Sequence, residues 1–96
     1  MKHAVITGGA TGLGADVART LSEAGYRGGI FDLGAERVAE AASKLENAVG
    51  IEADVTSPDH IAAAFDAFGH VPDLLVNNAG IVRFGGMEEQ SVQDYI

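Results

Sequence analysis

The stretch "VITGGATGLG", residues 5–14, places four glycines, Gly8, Gly9, Gly12 and Gly14, directly behind a short β-branched run. Ahead of them His3–Thr7 reads as a strand. Behind them Leu13, Val17 and Leu21 recur at i, i+4 and i+8, the stripe of a helix over Leu13–Ala24. Glycines between a strand and a helix let the backbone turn tightly and bring its N–H groups close to an anion, and the helix start adds the positive end of a dipole. Pyrophosphate is the natural guest of such a turn. The spacing, Gly8-x-x-x-Gly12-x-Gly14, is longer between its first two glycines than the general G-x-G-x-x-G fingerprint. Taken alone it is equally compatible with a strand-to-helix turn that holds no ligand.

Outward from this turn, strand and helix signals alternate along the chain, the pattern of a parallel α/β sheet with helical crossovers. Gly25 suits the position just past the first helix. A second strand is expected over Gly28–Phe31, on position more than composition, because Gly28 and Gly29 are poor strand formers. The second helix, Ala35–Glu46, has Val38, Ala41, Ala42 and Leu45 as its inner face, and "AVGIEAD" reads as a third strand ending at Asp54. Ser57 as N-cap and Pro58 at the first helical position open a third helix with Ile61, Phe65 and Phe68 buried and Gly69 at its end. Leu74–Asn77 is a fourth strand, apolar enough to be covered on both faces. Ser91 and Asp94 resemble a capping box that opens another helix. The expected architecture is a Rossmann-type doubly wound sheet with strand order 3-2-1-4, one half-domain over residues 1–96.

Composition excludes several classes. Among 96 residues, 14 acids against 6 Lys and Arg give a formal charge of −8, which repels nucleic acid and anionic membrane alike. The apolar fraction of 47% is that of a globular core rather than a disordered chain. With no cysteine there is no disulfide framework or thiolate metal site. The first residues carry no signal-peptide core, so a cytoplasmic location is expected. His3, His60 and His70 lack metal-ligand spacing and read as surface or strand-end residues. Glu88 and Glu89 read as a solvated face.

A second feature agrees with the glycine turn. Asp32 stands at the expected end of the second strand, where an acid accepts hydrogen bonds from the adenosine ribose. An acid there also repels a 2′-phosphate, and neither Thr11 nor Leu33 supplies a compensating base, so NAD is expected over NADP.

With "TGGATGLG", Asp32, "ADVT" at residues 53–56 and "LLVNNAGI" at residues 74–81 in this order, the chain resembles the short-chain dehydrogenase/reductase family over essentially all of its length. The resemblance implies that Gly8, Thr11, Gly12, Leu13 and Gly14 wrap the pyrophosphate and adenosine ribose, and that Asp32 holds the ribose hydroxyls. It implies that Asp54 accepts from the adenine amino group beside the Val55 N–H, and that Asn77, Asn78, Ala79 and Gly80 form a turn lining the cofactor. The bare reading of Asn77 and Asn78, a strand-end turn with Asx bonding, is compatible with that role. Arg83 and Phe84 then lead toward the substrate side, by analogy alone.

The family's chemistry uses a Tyr-x-x-x-Lys pair with a nearby Ser, in which Lys lowers the phenol pKa while hydride passes between nicotinamide and an alcohol or ketone. No Tyr-x-x-x-Lys occurs in these 96 residues: Tyr26 is followed at the required spacing by Ile30, and Tyr95 is penultimate. The resemblance therefore casts the chain as a truncated cofactor-binding half, inactive alone, with its fourth strand an open edge that pairs with a second copy or a complementing C-terminal half. The competing expectations are an inert nucleotide-binding or assembly fragment and, last, another Rossmann-type enzyme such as a methyltransferase or epimerase, which would carry different residues in place of "NNAG".

Overall fold

The computed structural model describes residues 1–10, 12–77 and, as backbone, 80–83. Apolar residues alternate across each strand and settle the layering. Along β1 (His3–Thr7), Ala4 and Ile6 face one side and Val5 the other, all three at most 1% exposed. The same alternation divides Ile30 from Phe31 in β2 (Arg27–Asp32) and Val76 from Leu75 in β4 (Leu74–Asn77). A strand buried on both faces needs cover on both. Helices α1 (Gly12–Glu23) and α2 (Ala35–Ser43) lie on the Ala4–Ile6–Ile30–Val76 side, and α3 (Pro58–Phe68) lies on the Val5–Phe31–Leu75 side. With β3 (Ala48–Glu52) the parallel order is β3-β2-β1-β4, in register Ile6↔Ile30 and Ile30↔Gly50. Each large apolar side chain buried this way contributes roughly 1.5–3 kcal/mol.

The helix ends follow their sequence signals. Gly25 N donates to Ser22 O at 3.0 Å and Tyr26 N to Leu21 O at 3.0 Å, the paired bonds of a Schellman end. Ser57 Oγ accepts from His60 N at 3.3 Å with Pro58 opening α3, and the left-handed Gly69 closes it.

Four expectations are corrected. Leu13 is 74% exposed rather than part of the buried stripe, because the buried face of α1 is centred on Gly14 and Ala18 and leaves Leu13 outside it; Val17 and Leu21 do pack inward. Helix α2 stops at Ser43, three residues early, tightened by bonds from Lys44 N to Ala41 O and Leu45 N to Ala42 O. Strand β3 ends at Glu52, and Asp54 instead opens a turn in which its carbonyl accepts from Ser57 N at 3.0 Å. Finally, β4 is not the open edge: β5 (Gly80–Arg83) pairs antiparallel with it, Leu75 opposite Val82 and Asn77 opposite Gly80. The β-branched pair Ile81–Val82 follows β4 closely enough in sequence to satisfy its free backbone groups locally. The helix expected from Ser91 and Asp94, with Glu88, Glu89 and Phe84, lies outside the described residues.

Candidate functional site

In a parallel sheet all strands deliver their carboxyl ends to one edge, and the sequence motifs arrive there together. Strand β1 ends at Thr7 and leads into the glycine turn; Asp32 ends β2; Asp54 and Val55 follow β3; Asn77 ends β4. Thr11, Asn78 and Ala79 lie outside the described residues, and Gly80 belongs to β5, opposite Asn77, rather than to a turn that continues past it.

The glycine turn is built by close backbone approach. Gly8 N donates to Phe31 O at 2.8 Å, so the turn leaves β1 still bonded to β2. Gly14, in the first turn of α1, presses on the Gly8 carbonyl so closely that a Cβ there would collide with it. A Cβ on Gly9 would stand 3.0 Å from Ile6 Cγ2. Gly12 differs: its φ of 62° is left-handed, and nothing lies within 4 Å of where its Cβ would be, so the backbone is bare and faces open space. The first turn of α1 thus offers amides, a dipole end and room, the combination that suits a phosphate oxygen.

Asp32 ties this turn to β2. Its Oδ2 accepts from Ala10 N at 3.2 Å and its Oδ1 from Leu33 N at 2.8 Å. The neighbouring acids are engaged as well. Asp54 Oδ1 accepts from Thr56 N at 2.9 Å and Thr56 Oγ1 at 2.6 Å, and these two bonds hold the carboxyl below the usual carboxylate range. Asp54 N donates to His60 Nδ1 at 3.2 Å, and Val55 packs against the α3 side of the core. Asn77 is half-buried at the end of β4.

Two arrangements were not foreseen from sequence. Glu52 Oε2 accepts from Gly34 N at 3.0 Å, fastening the loop after β2 to the end of β3; the signal was the register, which places Asp32 opposite Glu52. At the amino-terminal edge, His3 and His70 stack with ring centroids 4.0 Å apart, and Phe68 meets both edge-on. Asp73 joins this group by accepting from His3 N at 2.8 Å and donating its own N–H to His3 O at 2.7 Å. Desolvation, then the neighbouring His70 charge, pull His3 below its ordinary pKa. No metal-binding group of three or more His, Cys, Asp or Glu occurs among the described residues, and no helix among them is long and apolar enough to cross a membrane.

A parallel 3-2-1-4 sheet with helices on both faces, a glycine turn after its first strand and an acid at the end of its second, is a Rossmann-type half-domain. The short chain dehydrogenase family model matches residues 2–96, and the chain belongs to that family of nicotinamide-dependent oxidoreductases. It is 42% identical over 102 aligned residues to a 2,5-dichloro-2,5-cyclohexadiene-1,4-diol dehydrogenase of Sphingobium indicum, covering 98% of this chain and 40% of that protein. Among solved structures it resembles a Pseudomonas aeruginosa RhlG/NADP active-site complex, with TM-score 0.72 and 35% identity over 92% of this chain and 38% of the other. A 3-oxoacyl-[acyl-carrier protein] reductase with bound NAD from Brucella melitensis gives TM-score 0.76 and 36% identity over 80% of this chain and 31% of the other. The chain spans two fifths or less of the length of each of these proteins.

Proposed function

We propose that the chain forms the adenosine and pyrophosphate side of the cofactor site of a dehydrogenase that passes hydride between a nicotinamide dinucleotide and an alcohol or ketone, with NAD preferred to NADP. The observation that carries this reading is Asp32, an acid at the end of β2 whose carboxylate also reaches the Ala10 amide of the glycine turn at 3.2 Å. The residues suit the group: the backbone at Gly12 is open, Gly14 allows α1 to start against the turn, and Leu13 is exposed beside it. In this reading Gly8, Thr11, Gly12, Leu13 and Gly14 wrap the pyrophosphate and adenosine ribose, Asp32 accepts from the ribose hydroxyls, and Asp54 with the Val55 N–H meets the adenine. Asn77, Asn78, Ala79 and Gly80 are assigned to line the cofactor, with Asn77 ending β4 and Gly80 opening β5.

When bound, the dinucleotide supplies or accepts the hydride. The chain's own residues bind and orient it, and the Tyr-x-x-x-Lys proton chemistry of the family has no counterpart within these 96 residues. A cytoplasmic setting, and assembly with a second copy or with the remaining half of such a domain, belong to the same proposal. Asp32→Ala tests it by direct titration: NADH binding should weaken by about 1–3 kcal/mol, the scale of lost hydrogen bonds to a charged group. Unchanged affinity, or NADPH bound as tightly as NADH by the unaltered chain, would remove Asp32 from the ribose.

A further inference from the structure

The start of α2 is an anion-accepting position that the chain fills itself. Gly34, the residue before the helix, has no side chain to cap it and holds a left-handed φ of 88°. Its N–H is taken instead by Glu52 Oε2 at 3.0 Å, from the neighbouring strand. Glu52 stands directly opposite Asp32 in the β2–β3 register, and this even-numbered face of the two strands is the one on which α2 lies. Two carboxylates thus close the carboxyl ends of adjacent strands, one on the glycine turn and one on the α2 loop. The first turn of α2 brings its own acid, Glu36, and one base, Arg37, whose Cβ lies 3.6 Å from where a Gly34 Cβ would be. Arg37 makes no ion pair among the described residues.

A 2′-phosphate on an adenosine ribose held by Asp32 would look for these groups: a helix N-terminus, a loop amide and a guanidinium. We propose that Glu52 is a specificity-determining residue, excluding the 2′-phosphate by occupying the Gly34 amide and setting a second negative charge beside Asp32. The inference rests on the proposed placement of the adenosine ribose at Asp32. Glu52 fastens the α2 loop while Asp32 fastens the glycine turn, so discrimination comes from a pair of acids rather than from Asp32 alone. Arg37, which would otherwise favour a phosphate, is offset by Glu52 and Glu36 together.

Glu52→Gln separates charge from structure, because the amide oxygen still accepts from Gly34 N while the charge is gone. NADH and NADPH are titrated into the full chain and into the variant, with thermal melting as a check on the fold. Removing one unit charge near the phosphate should tighten NADPH binding by about three- to tenfold, leave NADH within about twofold, and lose its effect in high salt. An NADPH-to-NADH ratio unchanged by Glu52→Gln, or both affinities altered in parallel, overturns the role of Glu52 while leaving Asp32 in place. An unaltered chain that binds NADPH as well as NADH defeats the ribose placement at Asp32 itself, and the inference with it.

Discussion

The two faces of the sheet are built on opposite principles. On the α1/α2 side, small residues let backbone meet backbone: Gly14 lies on the Gly8 carbonyl, Gly50 lies under the Val38 carbonyl of α2, and Ala18 and Ala42 fill the core positions. A cleft of about 250 Å³ remains between α1 and α2, lined by Gly9, Ala10, Ala15, Ala18, Ala41 and Leu45. On the other side α3 covers the sheet among the described residues, and volume does the packing. Phe31 and Phe65 meet edge-on at 5.2 Å, Phe31 and Phe68 at 6.4 Å, and Phe68 is 4% exposed. The face that carries the glycine turn is sensitive to added atoms, and the face behind it to lost ones.

Opposite substitutions should therefore break the two faces. Phe68→Ala should be the most damaging, costing about 3–5 kcal/mol in denaturant unfolding, because both a large transfer term and a cavity follow. Gly50→Ala should cost about 1–3 kcal/mol by forcing α2 off β3, while the same change at Gly14 should cost similar stability and abolish dinucleotide binding as well. A small stability loss at Gly50 would mean that the α1/α2 face yields more readily than its contacts imply. Gly29 sharpens the contrast, since it is a small residue on the large-residue face: its Cβ would stand 2.9 Å from Phe68 Cδ1. Gly29→Ala should be costly alone and less so with Phe68→Leu, a coupling of about 0.5–3 kcal/mol in a double-mutant cycle.

Smaller effects come from charge. His3 is harder to protonate folded than unfolded, so the unfolded chain binds more protons once pH drops toward the ordinary histidine value of 6.5. Stability is complete above that pH and falls as pH descends through it toward the lowered folded value; His3→Asn should flatten this segment of the pH–stability curve. Asp54 contributes in the same direction at more acid pH, below its ordinary 3.8. The exposed pair Arg19–Asp16, at 3.3 Å, should be worth only about 0–0.5 kcal/mol, and Arg19→Ala should leave the midpoint nearly unchanged.

The parallel order and the position of Asp32 were legible because strand alternation, turn chemistry and capping all pointed the same way. Ser57, Pro58 and Gly69 mark α3 by local chemistry alone, and the structure keeps each of them in place. What escaped was whatever depends on neighbours distant in sequence. Leu13 fits a helical stripe by spacing, and only the packing of α1 on the sheet shows that its buried face is centred on Gly14 and Ala18 instead. Glu52 drew no notice inside a strand expected to reach Asp54, and only the register sets it against Asp32. His3 and His70 share no spacing, yet β1 and the end of α3 bring their rings together. The pairing of β5 was hidden because "NNAG" was read as a strand-end turn lining the cofactor, while the β-branched residues after it favour a strand.

The two backbone-linked bonds between His3 and Asp73 join residues 70 apart, whereas the contacts that fasten Asp32 to Ala10 and Glu52 to Gly34 span 22 and 18. Loop-closure entropy rises with separation, so β1–β2 and β2–β3 can pair while β4 is still searching. The stacked imidazoles and the Asp73 bonds then latch one of the longest excursions among the described residues. Contacts that form last hold back unfolding rather than speed folding, so loosening them should raise the unfolding rate and leave the folding rate nearly unchanged, which makes the amino-terminal edge the kinetic counterpart of the carboxyl edge opposite.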